Sequence, residues 1–323
     1  MVSICAGLLG RSEFVLMKKK LASLFVALFS LVWLTGAGWL PLARTGGGCS
    51  PVLILDCITT GIKASYSTRK LLTAYAGNAI RVQRTSDNAQ QDIGFVSNVL
   101  DTTTLATFCS GTDGKVITWY DQSGGGHDLT QAAATAPWIF RVSGGGSGQS
   151  FINTTRPALD FFNGATVLTN ATLAQNPVNT LFLNAVATDV GAAENALVGG
   201  TVANNLYWRD DITTLTASLL AAATSVIATA TTAQTSTGSV IESQYNSSTG
   251  TTSFWVDGAA AGTATNAKTF AGGGTILVGQ DTASSAGNNE KLGELIMYDL
   301  VGGIPSGSRT TIEANQKAYW GTP

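Results

Sequence analysis

Short apolar or alternating runs, separated by clusters of Gly, Asn, Asp, Ser and Thr, recur through most of this 323-residue chain. They read AIRVQ (79–83), DIGFV (92–96), KVITWY (115–120), ALDFF (158–162), TLFLNAVAT (180–188), NLYW (205–208), VIESQY (240–245), TSFWV (252–256), TILVG (275–279) and KLGELIMY (291–298). A period of two with β-branched and aromatic enrichment marks half-buried strands. Their number and spacing predict an all-β chain, an antiparallel sandwich, because the helical patterns between them are too few for parallel α/β units. Residues 240–245 and 252–256 flank the connection Asn246-Ser247-Ser248-Thr249-Gly250, and Asp257-Gly258 supplies a second tight turn, which predicts a meander. Two helical pieces are expected, at residues 67–75 and at Ser306–Trp320. In the second, Ser308 is a candidate cap, Ile312 and Tyr319 share one face, and Arg309, Glu313 and Lys317 at i, i+4, i+8 read as a solvated ladder.

Composition narrows the function classes. With 44% apolar residues and a net charge of −2 the chain is not of the disordered type. Eighteen Lys and Arg against twenty Asp and Glu leave no basic surplus for a phosphate backbone, so no nucleic-acid partner is expected. Met17-Lys18-Lys19-Lys20 leads into LASLFVALFSLVWLTGAGWLPLA, uncharged until Arg44, which reads as a secretory leader starting at Met17. The apolar stretch is also long enough for an uncleaved anchor, at roughly 20 residues per span. Either reading exports residues 44–323 and confines membrane contact to residues 1–43. Removing Arg11, Lys18, Lys19, Lys20 and Glu13 from the 18 basic and 20 acidic residues leaves 14 and 19, an exported net charge of −5. In an exported segment Cys49 and Cys57 are expected to form a short-loop disulfide, with Cys109 a buried free thiol. The single His127, in a glycine run, cannot build a zinc site, and no metal or other cofactor is expected. The glycine runs at 124–126, 144–146 and 272–274 read as loop tips, since none leads into a phosphate-binding helix.

Two stretches carry a family resemblance. ASYSTRKLLTAY, RVQRTSDNAQQDIGFV and FCSGTDGKVITWYDQSGGGHDLTQ resemble the catalytic domain of the fungal-type α-L-arabinofuranosidase B family, glycoside hydrolase family 54. From Val240 onward, VIESQYNSSTGTTSFWVDG, TILVGQD and GELIMYDL resemble the broader concanavalin A-like lectin and glucanase sandwich. The resemblance implies a concanavalin A-like jelly roll with a few short helices, including a C-terminal one, in one domain spanning 44–323. The first stretch itself reads as structural. Short polar side chains of YDQSGGG bond their own backbone, and Arg69, Arg81 and Arg84 have Asp87, Asp92 and Asp121 as candidate partners.

Glycosidases work with two carboxyl groups, about 5–5.5 Å apart when configuration is retained. The family's acid/base is an Asp after a late strand and a glycine, and VGQD places Asp281 there. Its nucleophile is a Glu in a mid-chain segment that here reads NNLYWRDDITT, so Asp210 and Asp211 are the candidates. Glu194, Glu242 and Glu294 are further acids, with Glu242 and Glu294 on strands that either face a groove or carry paired structural carboxylates. Asn205, Tyr207 and Trp208, with Gly279 and Gln280 before Asp281, are candidate substrate contacts, since a sugar face packs on aromatic planes while its hydroxyls take polar partners. Trp138 and Trp255 offer further stacking surfaces or sheet cover. The family's adjacent Cys-Cys pair is absent. The implied function is hydrolysis of terminal arabinofuranosyl residues from an arabinose-containing polysaccharide or surface glycan. The alternative is a catalytically degenerate lectin-like or structural surface or virion appendage domain.

Overall fold

The strand Glu290–Leu300 carries the unbroken apolar run Leu295–Tyr298, so both of its faces need cover, and the computed structural model supplies both. The model describes residues 53–146, 148–161, 166–173, 179–189, 195–201, 206–211, 216–221, 226–229, 237–265, 274–280 and 290–323. The chain divides into Met1–Gly47 and Gly48–Pro323, and all described residues belong to the second unit. Glu290–Leu300 pairs antiparallel with Thr180–Asp189 along one edge, from Thr180↔Leu300 to Asp189↔Glu290. On its other edge it pairs with Ile62–Ser67 and Leu159–Phe161. Thr180–Asp189 then pairs with Ser239–Asn246, which continues into Thr251–Val256 and Ala259–Thr265. The meander therefore forms as the turn residues predict. The first hairpin closes at Asn246↔Thr251, and the second at Val256↔Ala259 across Asp257 and Gly258, both left-handed.

The second layer is reached from Leu159–Phe161 through Trp138–Arg141 to Gly114–Trp119. Gly114–Trp119 pairs with Ile80–Arg84, which pairs with Gln90–Ile93. In the other direction Leu129–Thr130, Leu168–Asn170, Ile276–Val278, Asn195–Gly200, Leu206–Asp211, Thr216–Ala221 and Val226–Thr229 follow in order. The inward side chains of the first layer, Leu181, Leu183, Ile241, Tyr245, Phe254, Leu295 and Met297, share one buried cluster with Val82, Val116, Trp119, Leu168, Leu197 and Val278 of the second. All described pairings are antiparallel, and the architecture is the expected β-sandwich.

Outward-facing Phe182, Ile296 and Tyr298 are covered by Ile54, Leu55, Leu71, Ile304 and Ile312. Val186 and Val240 are covered by Ile152, Ala158 and Trp320. The lid over this face is the helix Ser306–Trp320, so its polar ladder is no solvated stripe. Arg309 and Glu313 are buried. Arg309 bonds Glu242 on the sheet and Glu313 at 3.2 Å, and its guanidinium lies 4.7 Å from the Trp255 ring centre. Glu242 and Glu294 accordingly stand as paired structural carboxylates under the helix and face no groove. Glu294, fully buried, receives Arg69 Nε at 2.7 Å and Nη2 at 3.1 Å, Gln316 Nε2 at 2.8 Å and Ser67 Oγ at 3.1 Å. Asn184 joins the two acids, donating to Glu242 at 3.2 Å and to Gln316 at 2.8 Å. Gly293 is required here, because a Cβ would lie 2.3 Å from the Trp320 ring.

Three local expectations are corrected. Residues 67–75 form no helix: Ser67 ends a strand, and Gln122 ties the following backbone by accepting from Leu71 N–H at 2.8 Å and donating to Ser67 and Arg69 carbonyls at 3.0 Å. The residue preceding the C-terminal helix is Pro305, which leaves Ser308 inside its first turn. A helix is found instead at Thr102–Phe108, where Asp101 caps Thr104 N–H at 3.0 Å. Cys109 is a buried free thiol pushed up to about 11 by burial. Cys57 is disulfide-bonded, and its expected partner Cys49 lies outside the described residues.

Arg69→Met leaves Glu294 charged and buried without its cation, and urea denaturation is expected to show a loss of about 3–5 kcal/mol. Burial pushes the Glu242 carboxyl up from 4.5 to about 7, against the opposing pull of Arg309 and with a small push from Glu313. The folded state then holds this proton more tightly than the unfolded chain, so the group's contribution is fullest below about pH 4.5 and is lost as pH rises through about 7. Stability curves measured between pH 5 and 8 are expected to fall with pH in the wild type and to flatten in Glu242→Gln.

Candidate functional site

The strand Asn195–Gly200 is the ruler for the expected catalytic residues, because it lies between the two segments that carry them. On one side Asn195 faces Asp210 and Val198 faces Trp208. On the other Val198 faces Val278, and Gly279 donates its N–H to the Leu197 carbonyl at 3.2 Å. The 209–211 end of one segment and the 279–280 end of the other therefore reach the same end of the sheet. Two strand spacings separate them, roughly 9.5 Å of backbone. Asp210 and Asp211 close the strand Leu206–Asp211, in which Tyr207 and Trp208 stand opposite Leu220 and Leu219 of the next strand. Gln280, partly buried, follows Gly279. Asn205, Asp281 and Glu194 lie outside the described residues.

Gly279 has a reason independent of any ligand. Its φ is +88°, and a Cβ would lie 2.1 Å from the Phe161 ring, which belongs to the core. Only a residue without a side chain lets the chain leave the strand Ile276–Val278 in this direction.

The motif at 119–128 is built as a lock. The buried Asp121 accepts Ser65 N–H at 3.0 Å, Ser123 N–H at 2.9 Å, Ser123 Oγ at 2.8 Å and His127 N–H at 3.2 Å. Asp128 accepts Asp121 N–H at 2.9 Å, and Tyr66 donates its hydroxyl to the His127 carbonyl at 2.6 Å. Burial, with Asp121 and Asp128 nearby, raises the Tyr66 hydroxyl well above its ordinary value, which keeps it a donor. The His127 ring meets Thr172 Oγ1 at 3.2 Å. Arg81 forks onto Asp92 with both bonds at 2.7 Å, Tyr120 donates to the same carboxylate at 2.7 Å, and Arg84 pairs with Asp87. Arg69 departs from the expected partners and takes Glu294. Trp138 lies under Lys115, 4.3 Å from its ring centre, so one of its faces is already taken.

Residues 53–150 match the family model for the catalytic region of α-L-arabinofuranosidase B. Over 76 residues the chain is 41% identical to a probable α-L-arabinofuranosidase B of Aspergillus flavus, covering 23% of this chain and 15% of that one. An α-L-arabinofuranosidase of Hypocrea jecorina is 40% identical over 75 residues, with the same coverage. The matched stretch thus spans less than a sixth of these relatives' length. The fold likeness reaches further. A family-54 α-L-arabinofuranosidase soaked with a cyclic sulfate inhibitor superposes with a TM-score of 0.61 at 16% identity, over 81% of this chain and 63% of that one. An arabinofuranosidase complexed with arabinofuranosyl-α-1,2-xylobiose gives 0.59 at 17%, with the same coverage.

Gly279→Ala combines strained backbone with a collision in the core, and differential scanning calorimetry is expected to show a destabilisation of about 2–4 kcal/mol. Gln280→Ala, at the next position, is expected to leave the melting temperature unchanged.

Proposed function

We propose that this chain is an exported glycoside hydrolase of α-L-arabinofuranosidase type, releasing terminal arabinofuranosyl units from an arabinose-containing polysaccharide or surface glycan. The match of residues 53–150 to the arabinofuranosidase B catalytic model carries this reading. The likeness of fold over 81% of the chain supports it, as does the register that sends the 209–211 and 279–280 ends to one end of the sheet. In this reading residues 1–43 are the leader, residues 44–323 form the working domain, and Cys49 pairs with Cys57.

The chemistry follows from two carboxyl groups. Asp281 protonates the glycosidic oxygen as the bond to the anomeric carbon breaks, while Asp210 or Asp211 attacks that carbon and holds the sugar covalently. Asp281, now a carboxylate, takes a proton from water, whose oxygen displaces the aspartyl group with overall retention. Asn205, Tyr207, Trp208, Gly279 and Gln280 line the sugar in this scheme. An aspartate in place of the family's glutamate shortens the nucleophile by one bond, so the backbone at 210–211 must sit closer to the sugar than its counterpart does.

The test is hydrolysis of 4-nitrophenyl α-L-arabinofuranoside by protein lacking residues 1–43. Asp281→Asn is expected to lower kcat by about 10²–10⁴-fold, and either Asp210→Asn or Asp211→Asn to abolish turnover. Proton NMR of the first-formed sugar is expected to show retained configuration. A wild type no faster than Asp281→Asn overturns the hydrolase reading, and a glycan array then tests carbohydrate binding without catalysis.

A further inference from the structure

A cleft of 410 Å³ opens on the surface between residues 75–78 and residues 94–98. Its walls are fixed by backbone pairing: Ala79 N–H donates to Ile93 O at 2.9 Å, and Lys70 N–H to Asn98 O at 2.9 Å. Ser97 and Asn98, both left-handed, form the two-residue loop of a tight hairpin closed by Val96↔Val99. The Tyr75 ring stands edge-on to Phe95, with centroids 6.4 Å apart and planes at 77°. Tyr75 donates its hydroxyl to the Asn78 carbonyl at 2.7 Å, which locks the loop around the ring.

The polar side chains lining this cleft are unspent. Among the described residues, those of Lys70, Asn78, Ser97 and Asn98 make no hydrogen bond. Elsewhere the same amides are consumed by the fold. Asn170 Oδ1 accepts from Thr172 and Leu173 N–H groups, and Asn246 Oδ1 from those of Ser248 and Thr249. No acidic side chain lines the cleft. Asp56 is within electrostatic reach of Lys70, but its carboxylate is occupied by Leu53 N–H and by the Thr73 N–H and hydroxyl. Asp92 is held by Arg81 and Tyr120, and Asp128 and Asp121, which act on the Tyr75 hydroxyl, are occupied by the N–H groups of Asp121 and of Ser123 and His127.

We propose that this cleft binds an acidic sugar residue, a uronate unit of a glycan, with Tyr75 and Phe95 as the apolar wall, Asn78, Ser97 and Asn98 on its hydroxyls and Lys70 on its carboxylate. Aromatic walls with a few convergent polar groups are the usual make-up of a small-ligand site. The cleft adjoins Gln90–Ile93, five strands from Ile276–Val278 through the pairings described above, roughly 24 Å along the sheet at 4.8 Å per strand. It is thus separate from the proposed hydrolytic centre and stands whether or not that centre is active.

Isothermal titration of the full chain with trigalacturonate and with its methyl ester tests the site. The acid is expected to bind about three- to five-fold tighter than the ester, the size of an exposed ion pair. Lys70→Gln is expected to erase that difference. Asn98→Gly, which keeps the left-handed backbone, is expected to weaken both ligands, and neither variant to shift the thermal midpoint. Binding of neither sugar, equal binding of acid and ester by the wild type, or affinities untouched by both variants overturns the proposal. Binding lost in Asp281→Asn but kept in Lys70→Gln overturns the location.

Discussion

The buried Glu294 with its Arg69 partner is the constraint on which the rest of the sandwich depends. The two residues lie 225 positions apart in sequence, at the two ends of the domain. Their pairing is possible only if Ile62–Ser67 lies beside Glu290–Leu300 in one register, Ser67 opposite Glu294. A slip of one residue would turn Glu294 into the apolar core between the layers, where no cation waits, and would expel Leu295. A buried ion pair contributes little net stability against an apolar substitute, because desolvation offsets the Coulomb gain. Its value here is in forbidding alternatives. Asn184, Gln316 and Arg309 extend the same logic to Glu242, so the helix Ser306–Trp320 docks by completing the partners of two carboxylates that Arg69, Ser67 and Asn184 reach from the sheet side.

Strands were legible because their signal is local. Short apolar or alternating runs located strands at all ten places, with the run at 92–96 split into Gln90–Ile93 and Phe95–Val96 and the other ends moved by one to three residues, as in Glu290–Leu300. The tight turn at Asp257-Gly258 was legible for the same reason, since a left-handed pair needs those residues. The errors fall where the deciding partner is distant. Arg309, Glu313 and Lys317 have ideal spacing for a solvated ladder, and nothing within the helix shows that Glu242 waits beneath it. Residues 67–75 have helical composition, yet Gln122 claims their backbone. Ile62–Ser67 is not among the ten runs although Ile62, Ala64 and Tyr66 alternate with Lys63, Ser65 and Ser67, and its polar serines are buried because Asp121, Glu294 and the Gly293 carbonyl bond that face. Asp210 and Asp211 are proposed through a family resemblance alone, since two aspartates in a polar stretch carry no periodic signal.

The matched stretch and the expected chemistry lie in different parts of the chain, and this has a physical reason. Residues 53–150 contain the Asp121 lock and the Gln122 bridge, in which side chains bond specific backbone groups, and the Arg81–Asp92 fork, which joins two side chains by a matched pair of bonds. Such contacts tolerate no change of residue type, because an Asp replaced by Glu puts the same oxygens a bond too far out. The apolar layers elsewhere need only volume and alternation, which many sequences supply. Identity of 16% with a shared fold is the expected result of that difference.

The same reasoning bears on the proposed nucleophile. A strand end anchored by pairing on both sides moves little, and Leu206–Asp211 is paired with Asn195–Gly200 and Thr216–Ala221. Replacing Glu by Asp at such a position shortens the reach by one bond, which only a change of backbone position restores. The Asn195–Gly200 ladder carries a register irregularity between Ala196 and Val198, against Arg209 and Trp208. A bulge twists and re-aims the strand pair where it occurs. It lies one residue from Asp210, so under the proposed mechanism the bulge is the feature that re-aims the backbone for the shorter side chain.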